Sequence, residues 1–188
     1  SPDLVVYSTG GTLKQITQIA ERHDRTNRVV PLSEYTGQPE MQGGLVKSLD
    51  WRIYLGLLSE QFNPVHQQDL EQHNAVAFDL TVCNFYPFEA AVSESGSTIE
   101  DARTHIDIGG PCMIRASAKN YLRVATVCSP NQYDHLVDHL RENGGTTTLP
   151  FRLELMKRAF RYVSEYDAAI DAYVSRQSDE ALLFYQED

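Results

Sequence analysis

The chain has 188 residues, of which 41% are hydrophobic and 22% charged, and its formal net charge is −10. That length suits one domain with a full core, and the composition is ordinary for a globular protein. The acidic balance argues against nucleic-acid binding, because phosphate backbones require a basic surface, but a small anion needs only local donors and a few cations in a cleft. Apolar runs such as Leu4–Tyr7 and Val124–Cys128 are too short to span a bilayer, and no charged-then-apolar leader opens the chain, so neither a membrane nor secretion is expected. The abrupt start at Ser1-Pro2-Asp3 suggests that an earlier segment is missing.

Leu4–Tyr7 reads as a buried strand, Ser8-Thr9-Gly10-Gly11-Thr12 as a turn, and Leu13–Arg22 as a helix with Leu13, Ile16, Ile19 and Ala20 on its buried face. Val29–Leu32 is a weak strand, and 33–44 is rich in turn formers. Ile53–Leu58 fits helix or strand, and Pro64 opens a helix through His73. Phe78–Phe85 reads as a second buried strand, Ser97–Arg103 as a short helix, and Ile106–Ile108 as a strand-like pair turning into a helix at Pro111. Arg123–Cys128 is a third strand. Pro130–Glu142 is a helix with Leu136, Val137 and Leu140 on its apolar side, and Phe151–Val174 is one long helix or two with a break. Alternating strands and helices predict an α/β fold, with a largely parallel sheet between helices on both faces. No linker or repeat interrupts the chain, so 1–188 reads as a single domain, with an acidic tail from Ser178 that docks through the apolar residues beginning at Leu182.

Two glycine turns carry the candidate chemistry. Ser8–Thr12 joins a strand to a helix. Glycines there let a backbone approach an anion, the helix start offers N–H groups and a favourable dipole, and the hydroxyls of Ser8, Thr9 and Thr12 add donors. A plain turn with Thr12 as N-cap fits equally well. The P-loop and dinucleotide fingerprints are both absent. Asp107-Ile108-Gly109-Gly110-Pro111 is a second glycine turn, with Arg115 and Lys119 on one face of the helix it opens. Asp107 is placed to act on a substrate, since ligands of open α/β sheets sit at the carboxyl ends of strands, or else to cap a helix. Asn84 and Tyr86 share one side of their strand, where Tyr86 can donate a proton or stack on a flat ring, whereas Phe85 and Phe88 read as core. Lys47 follows a glycine-rich stretch and can reach a phosphate or a reacting oxygen.

The remaining polar groups are bland. Three cysteines, Cys83, Cys112 and Cys128, form no disulfide framework, and Cys83 and Cys128 read as small buried hydrophobes in a reducing cytoplasm. His135 and His139 stand four apart without the zincin glutamate or a third ligand, so they read as surface residues and no metal site is expected. Ser95 lies in a polar loop without the context of a nucleophile elbow.

Taken together, Ser8–Thr12, Tyr35–Met41, Val46–Leu49, Asn84–Glu89, Ile106–Pro111 and Met113–Asn120 resemble the inosine-monophosphate (IMP) cyclohydrolase domain of the bifunctional purine-biosynthesis enzymes, the PurH family, in order and approximate spacing. The stretch Met156–Tyr173 also matches, so the resemblance covers roughly residues 4 to 175. It implies a three-layer α/β/α domain similar to methylglyoxal synthase. The implied reaction closes the ring of 5-formamidoimidazole-4-carboxamide ribonucleotide (FAICAR) to IMP with loss of water, without metal or other cofactor. It also implies a cytoplasmic homodimer and, for a stand-alone version, a separate AICAR formyltransferase as partner. The 5′-phosphate is expected at Ser8, Thr9, Gly10, Gly11 and Thr12, with further substrate contacts at Ser48, Asn84, Gly109 and Gly110. Lys47, Tyr86, Asp107 and Lys119 are expected around the base as the catalytic set. Closure needs a group to take the amide proton, a donor for the departing oxygen, and a means of holding the two substrate arms together.

The chain departs from the family at one loop. Where the family has Gly-Arg-Val-Lys-Thr-Leu-His-Pro, this sequence reads Gly44-Leu45-Val46-Lys47-Ser48-Leu49-Asp50-Trp51, and a further family histidine is Tyr54. Losing a cation and gaining a carboxylate beside a phosphorylated ligand should weaken binding. The family's N-terminal strand and helix, which also contact the phosphate, have no counterpart before Ser1. A non-catalytic purine-nucleotide binder that regulates or scaffolds a formyltransferase is therefore the alternative. A lyase acting on a triose phosphate fits less well, given Asn84–Phe88 and the Lys119 helix.

Overall fold

The computed structural model describes residues 4–25, 28–39, 41, 47–86, 88–94 and 96–185. The chain divides into two compact units, Ser1–Ala77 and Phe78–Asp188. Each contains one pair of short parallel strands together with helices, the α/β class that the alternating pattern predicts.

In the first unit β1 (Val6–Ser8) runs directly into α1 (Gly10–Glu21), which carries the chain back so that β2 (Val29–Pro31) lies parallel to β1, with Val6 opposite Val29 and Ser8 opposite Pro31. The strand therefore sits two residues later than Leu4–Tyr7, and the helix starts three residues before Leu13. β2 passes at once into α2 (Leu32–Thr36), anchored by buried Leu32. The segment read as turns thus begins as a helix, and its first turn-forming residue in the structure is Gly37. This glycine ends α2 in the left-handed conformation, φ 75°, with its N–H on the Ser33 carbonyl.

The ambiguous run becomes helix α3 (Trp51–Leu58), because Ile53, Gly56 and Leu57 recur at helical spacing on its buried side. α4 (Pro64–Gln72) is capped by Asn63, whose side chain accepts from the N–H groups of Val65 and His66. Tyr35 ties the unit together. Its ring meets Tyr7 edge-on at 5.1 Å, its hydroxyl accepts from the Val76 N–H at 2.9 Å, and its carbonyl accepts from Arg52 at 3.2 Å.

In the second unit β3 (Leu80–Val82) and β4 (Ala125–Val127) pair in parallel, Leu80 opposite Ala125. β4 is buried throughout, but in β3 only Thr81 is buried while Leu80 and Val82 are exposed, so Phe78–Phe85 is not a fully buried strand. Period-two alternation sends one side chain of β3 inward and its neighbours outward. Residues 84–86 continue past the strand without regular structure. α5 (Phe88–Ser93) and α6 (Ile99–Thr104) follow, the latter closed by a capping box in which Thr98 and Asp101 bond each other's backbone N–H.

α7 (Gly109–Lys119) starts two residues before Pro111, and Ile106–Ile108 is a bend rather than a strand. A short 3-10 turn (Pro130–Gln132) leads into α8 (Tyr133–Glu142). There Leu136 is buried and Leu140 partly so, but Val137 faces out, one hundred degrees round the helix from Leu136. α9 (Leu149–Val174) is unbroken, capped by Thr148, with Phe151, Leu155, Ala159 and Val163 forming one buried ridge at i+4 steps. That ridge packs with Phe85, Ile114, Ala118 and Cys128 on one side and with Ala125, Val127 and Leu136 on the other. Burying a side chain such as Leu155, 1% exposed, contributes about 1.5–3 kcal/mol.

The acidic tail docks, as a 3-10 segment (Asp179–Tyr185), but through Tyr185 rather than its leucines: Leu182 and Leu183 are exposed, and the Tyr185 hydroxyl donates to Glu100 at 2.7 Å. That bond and those from Arg103 hold the Glu100 carboxyl down at about 2. Among the described residues no helix is long and apolar enough to cross a membrane.

Candidate functional site

The first glycine turn is the start of α1. Thr9, not Thr12, is the N-cap residue, with extended backbone (φ −130°, ψ 160°) and its carbonyl accepting from Leu13 at 3.0 Å, and its hydroxyl makes no capping bond. Thr12 is exposed inside the first turn, and Ser8 ends β1. The N-cap residue of α1, like those of α2 and α8, makes no side-chain cap to the first N–H groups, whereas α3, α4, α6 and α9 each carry one. Gly10 takes φ 55°, which favours glycine, and a Cβ there would come 3.6 Å from the Lys47 ammonium. Lys47 thus adds a cation to a helix start that already favours anions. Lys47 and the Ser8–Thr12 turn are brought together, and Ser48 follows Lys47 in a half-buried turn.

The departures beside Lys47 have structural roles. Asp50, 5% exposed, accepts the Arg52 N–H at 2.8 Å and caps α3, so its charge is held by a helix N-terminus. Trp51 meets His73 edge-on at 5.1 Å and lies under the Arg52 guanidinium at 5.5 Å. Tyr54 is half-buried on α3. Leu45, and with it the lost family arginine, lies outside the described residues, as do Pro87 and Ser95.

The second glycine turn lies in the other unit, where two hydrogen bonds fix Asp107 and a third fixes its partner Tyr166. Asp107 Oδ1 accepts the Gly110 N–H at 2.9 Å, the Asp107 N–H donates to the Tyr166 hydroxyl at 2.7 Å, and that hydroxyl donates to the His105 carbonyl at 3.3 Å. Gly110 is required by space: a Cβ there would stand 2.6 Å from Asp107 Oδ2 and 3.0 Å from the Phe85 ring. Phe85 in turn stacks on Tyr162 at 4.5 Å and meets Tyr166 edge-on at 4.8 Å, and its N–H donates to the Tyr162 hydroxyl. Burial, then the Asp107 charge, then Cys128, push the Cys83 thiol up to about 12. Burial also raises the Tyr166 phenol, partly offset by its bond with Asp107. The capping role of Asp107 is real, and Oδ2 is not used by it.

Tyr86, 69% exposed, lines an open cleft of about 410 Å³ with Ala90, Glu94, Asp101 and His105, and Asn84 is exposed two residues before it. Lys119 is exposed at the far end of α7 from Asp107, roughly 15 Å along the axis at 1.5 Å per residue, so these two are not brought together within the unit. Arg115 sits 5.7 Å from the Phe160 ring. Cys128 is buried but Cys83 only half so, and His139, far from being a plain surface residue, stacks on Phe151 at 3.8 Å. Among the described residues no group of three His, Cys, Asp or Glu gathers as for a metal. Tyr162 and Tyr166, which hold Phe85 and Asp107, were legible only as an i, i+4 pair on the long helix.

Comparison with known proteins matches residues 3–112 to the MGS-like domain family and residues 117–187 to the AICARFT/IMPCHase bienzyme family. The bifunctional purine biosynthesis protein PurH of Trichormus variabilis is 39% identical over 170 residues, 90% of this chain and 32% of that protein. PurH of Synechococcus sp. (strain CC9605) is 39% identical over 173 residues, 92% of this chain and 32% of that protein. The chain thus spans about a third of the length of these relatives. The crystal structure of ForH superposes with a TM-score of 0.71 at 28% identity, covering 89% of this chain and 84% of that one.

Proposed function

The chain belongs to the MGS-like domain family, in its PurH-like form, and from that premise we propose that it is an IMP cyclohydrolase, closing FAICAR to IMP. The observation that carries the reading is the uncapped start of α1 with the Lys47 ammonium beside Gly10, an anion site built from backbone N–H groups, hydroxyls and one cation. A nucleotide 5′-phosphate satisfies it. In the reaction the carboxamide nitrogen attacks the formyl carbon and a C–N bond forms; the C–O bond then breaks as the formamido C=N bond forms, and the oxygen leaves as water with one proton from the carboxamide nitrogen and one from the formamido nitrogen. Asp107 Oδ2 is the group offered for the amide proton, on a carboxylate whose other oxygen accepts the Gly110 N–H and whose backbone N–H is tied to Tyr166. Tyr86 is the donor offered to the departing oxygen, because Lys47 serves the phosphate and Lys119 stands roughly 15 Å along α7 from the Asp107 end.

The placement of Asp107 and Lys119 at opposite ends of α7 favours a second reading, a relative that binds a purine nucleotide without turnover. Both readings share nucleotide binding, so calorimetric titration with IMP tests their common ground. Binding by the wild-type chain that is lost in a folded Lys47→Met variant is expected. A wild-type chain that fails to bind IMP sinks both readings.

A further inference from the structure

We propose that Gln38 is a specificity residue that receives a sugar hydroxyl of the phosphorylated ligand, selecting ribose over deoxyribose beside the Lys47 anion site. The inference rests on the phosphate reading of that site and extends it to the sugar. Its physical basis is a cavity of about 10 Å³ lined by Thr9, Ser33, Thr36, Gln38, Pro39 and Lys47. A space of that size holds about one water-sized group. Gln38 is placed there by its neighbours. Gly37 reverses the chain in the left-handed conformation, and the Thr36 hydroxyl donates to the Leu32 carbonyl at 3.0 Å while accepting the Gln38 N–H at 3.2 Å. The Gln38 Oε1 that results is buried and has no donor among the described residues.

An acceptor left in that state is costly unless something donates to it. The lining defines what can. A phosphate oxygen cannot, because it only accepts. An ammonium or amide of the ligand would face the Lys47 charge. A hydroxyl donates to Gln38 Oε1 and at the same time accepts from Lys47, so among the groups of a phosphorylated ligand it alone fits both ends of a one-group cavity. A pentose phosphate carries hydroxyls within a few bonds of its phosphate. Thr9 belongs to both the helix start and the cavity, so the two subsites are contiguous.

The test is calorimetric affinity of the full chain for IMP, its 2′-deoxy and 3′-deoxy analogues, ribose 5-phosphate and 2-deoxyribose 5-phosphate, for wild type and Gln38→Met. Wild type is expected to bind IMP about tenfold or more tighter than at least one deoxy analogue. Gln38→Met, similar in volume, should bring ribo and deoxy ligands within about twofold while still binding phosphate esters. Equal wild-type affinity for IMP and both analogues overturns the proposal without need of any variant, since a trapped water then serves Gln38. A folded Gln38→Met that keeps the discrimination overturns it too. Ribose 5-phosphate bound in a Gln38-dependent way, with no IMP binding, would retain the hydroxyl pocket and reject the purine reading. Binding of neither ligand rejects both.

Discussion

Replacing Gly110 by alanine probes the link between packing and chemistry in the second unit. The new Cβ would stand 2.6 Å from Asp107 Oδ2 and 3.0 Å from the Phe85 ring. The carboxylate can withdraw only by rotating, which breaks the 2.9 Å bond from the Gly110 N–H and removes a helix cap, a loss of about 0.5–2 kcal/mol. Phe85 cannot withdraw readily, because it is buried and held between Tyr162 and Tyr166, so overpacking adds about 1–3 kcal/mol. The helix gains back about 0.5–1 kcal/mol from losing a glycine. The net loss is about 2–3 kcal/mol, or about 4–12 °C in melting temperature at about 2–4 °C per kcal/mol for a chain of this size. Thermal unfolding followed by circular dichroism measures it, and turnover at a temperature where the variant is folded reads the displaced carboxylate. A Gly110→Ala protein that melts within a degree of wild type and turns over normally would refute the packing argument and the placement of Asp107 together.

Gly11→Ala is the complementary case: nothing lies within 4 Å of its added Cβ, so the variant should be as stable as wild type or up to about 1 kcal/mol more stable, yet bind IMP more weakly because the methyl occupies the approach to the helix start. Unchanged affinity in calorimetry would move the phosphate away from that turn. Asp50→Ala should lower stability by about 1–2 kcal/mol in urea unfolding, through the lost α3 cap, with IMP affinity little changed; a marked gain in affinity would show that the carboxylate repels the ligand. With iodoacetamide near pH 8, exposed Cys112 should react first, while Cys83, held protonated up to about 12, and buried Cys128 react only on unfolding, as read by mass spectrometry. The same shift fixes a sign. The folded state keeps the Cys83 proton above its ordinary value of 9.0 whereas the unfolded state releases it, so stability should fall as pH rises from about 9 towards 12, and Cys83→Ala should flatten part of that fall.

Much of this was legible because local pattern and global packing agree. The long helix α9 repeats Phe151, Leu155, Ala159 and Val163 at intervals of four, which keeps them along one helix face. The run Ile53–Leu58 was ambiguous because it is short and apolar on most sides; Asp50 as cap settles it, but the cap is recognisable only once the helix start is known. For the same reason Asp50 read as an unwelcome charge near a ligand rather than a capping group. The partners of Asp107 and Phe85 lie 59 and 77 residues away on α9, and no local pattern announces such contacts. The distance between Asp107 and Lys119 was implicit in helix rise, yet needed the helix bounds to become visible. Gln38 was legible only as part of a turn-rich segment and of the Tyr35–Met41 motif, since an unsatisfied buried acceptor is a property of packing.

The central claim is tested most directly by ring closure itself, followed by ultraviolet absorbance with FAICAR, for the wild-type chain and Asp107→Asn. Asparagine retains an oxygen for the Gly110 N–H, so the variant should fold and bind IMP while losing about 100-fold or more of the rate. Wild-type closure well above the spontaneous rate, with that loss, is the expected result. A folded wild-type chain that binds IMP but closes no ring would contradict the enzyme reading and leave a nucleotide-binding relative.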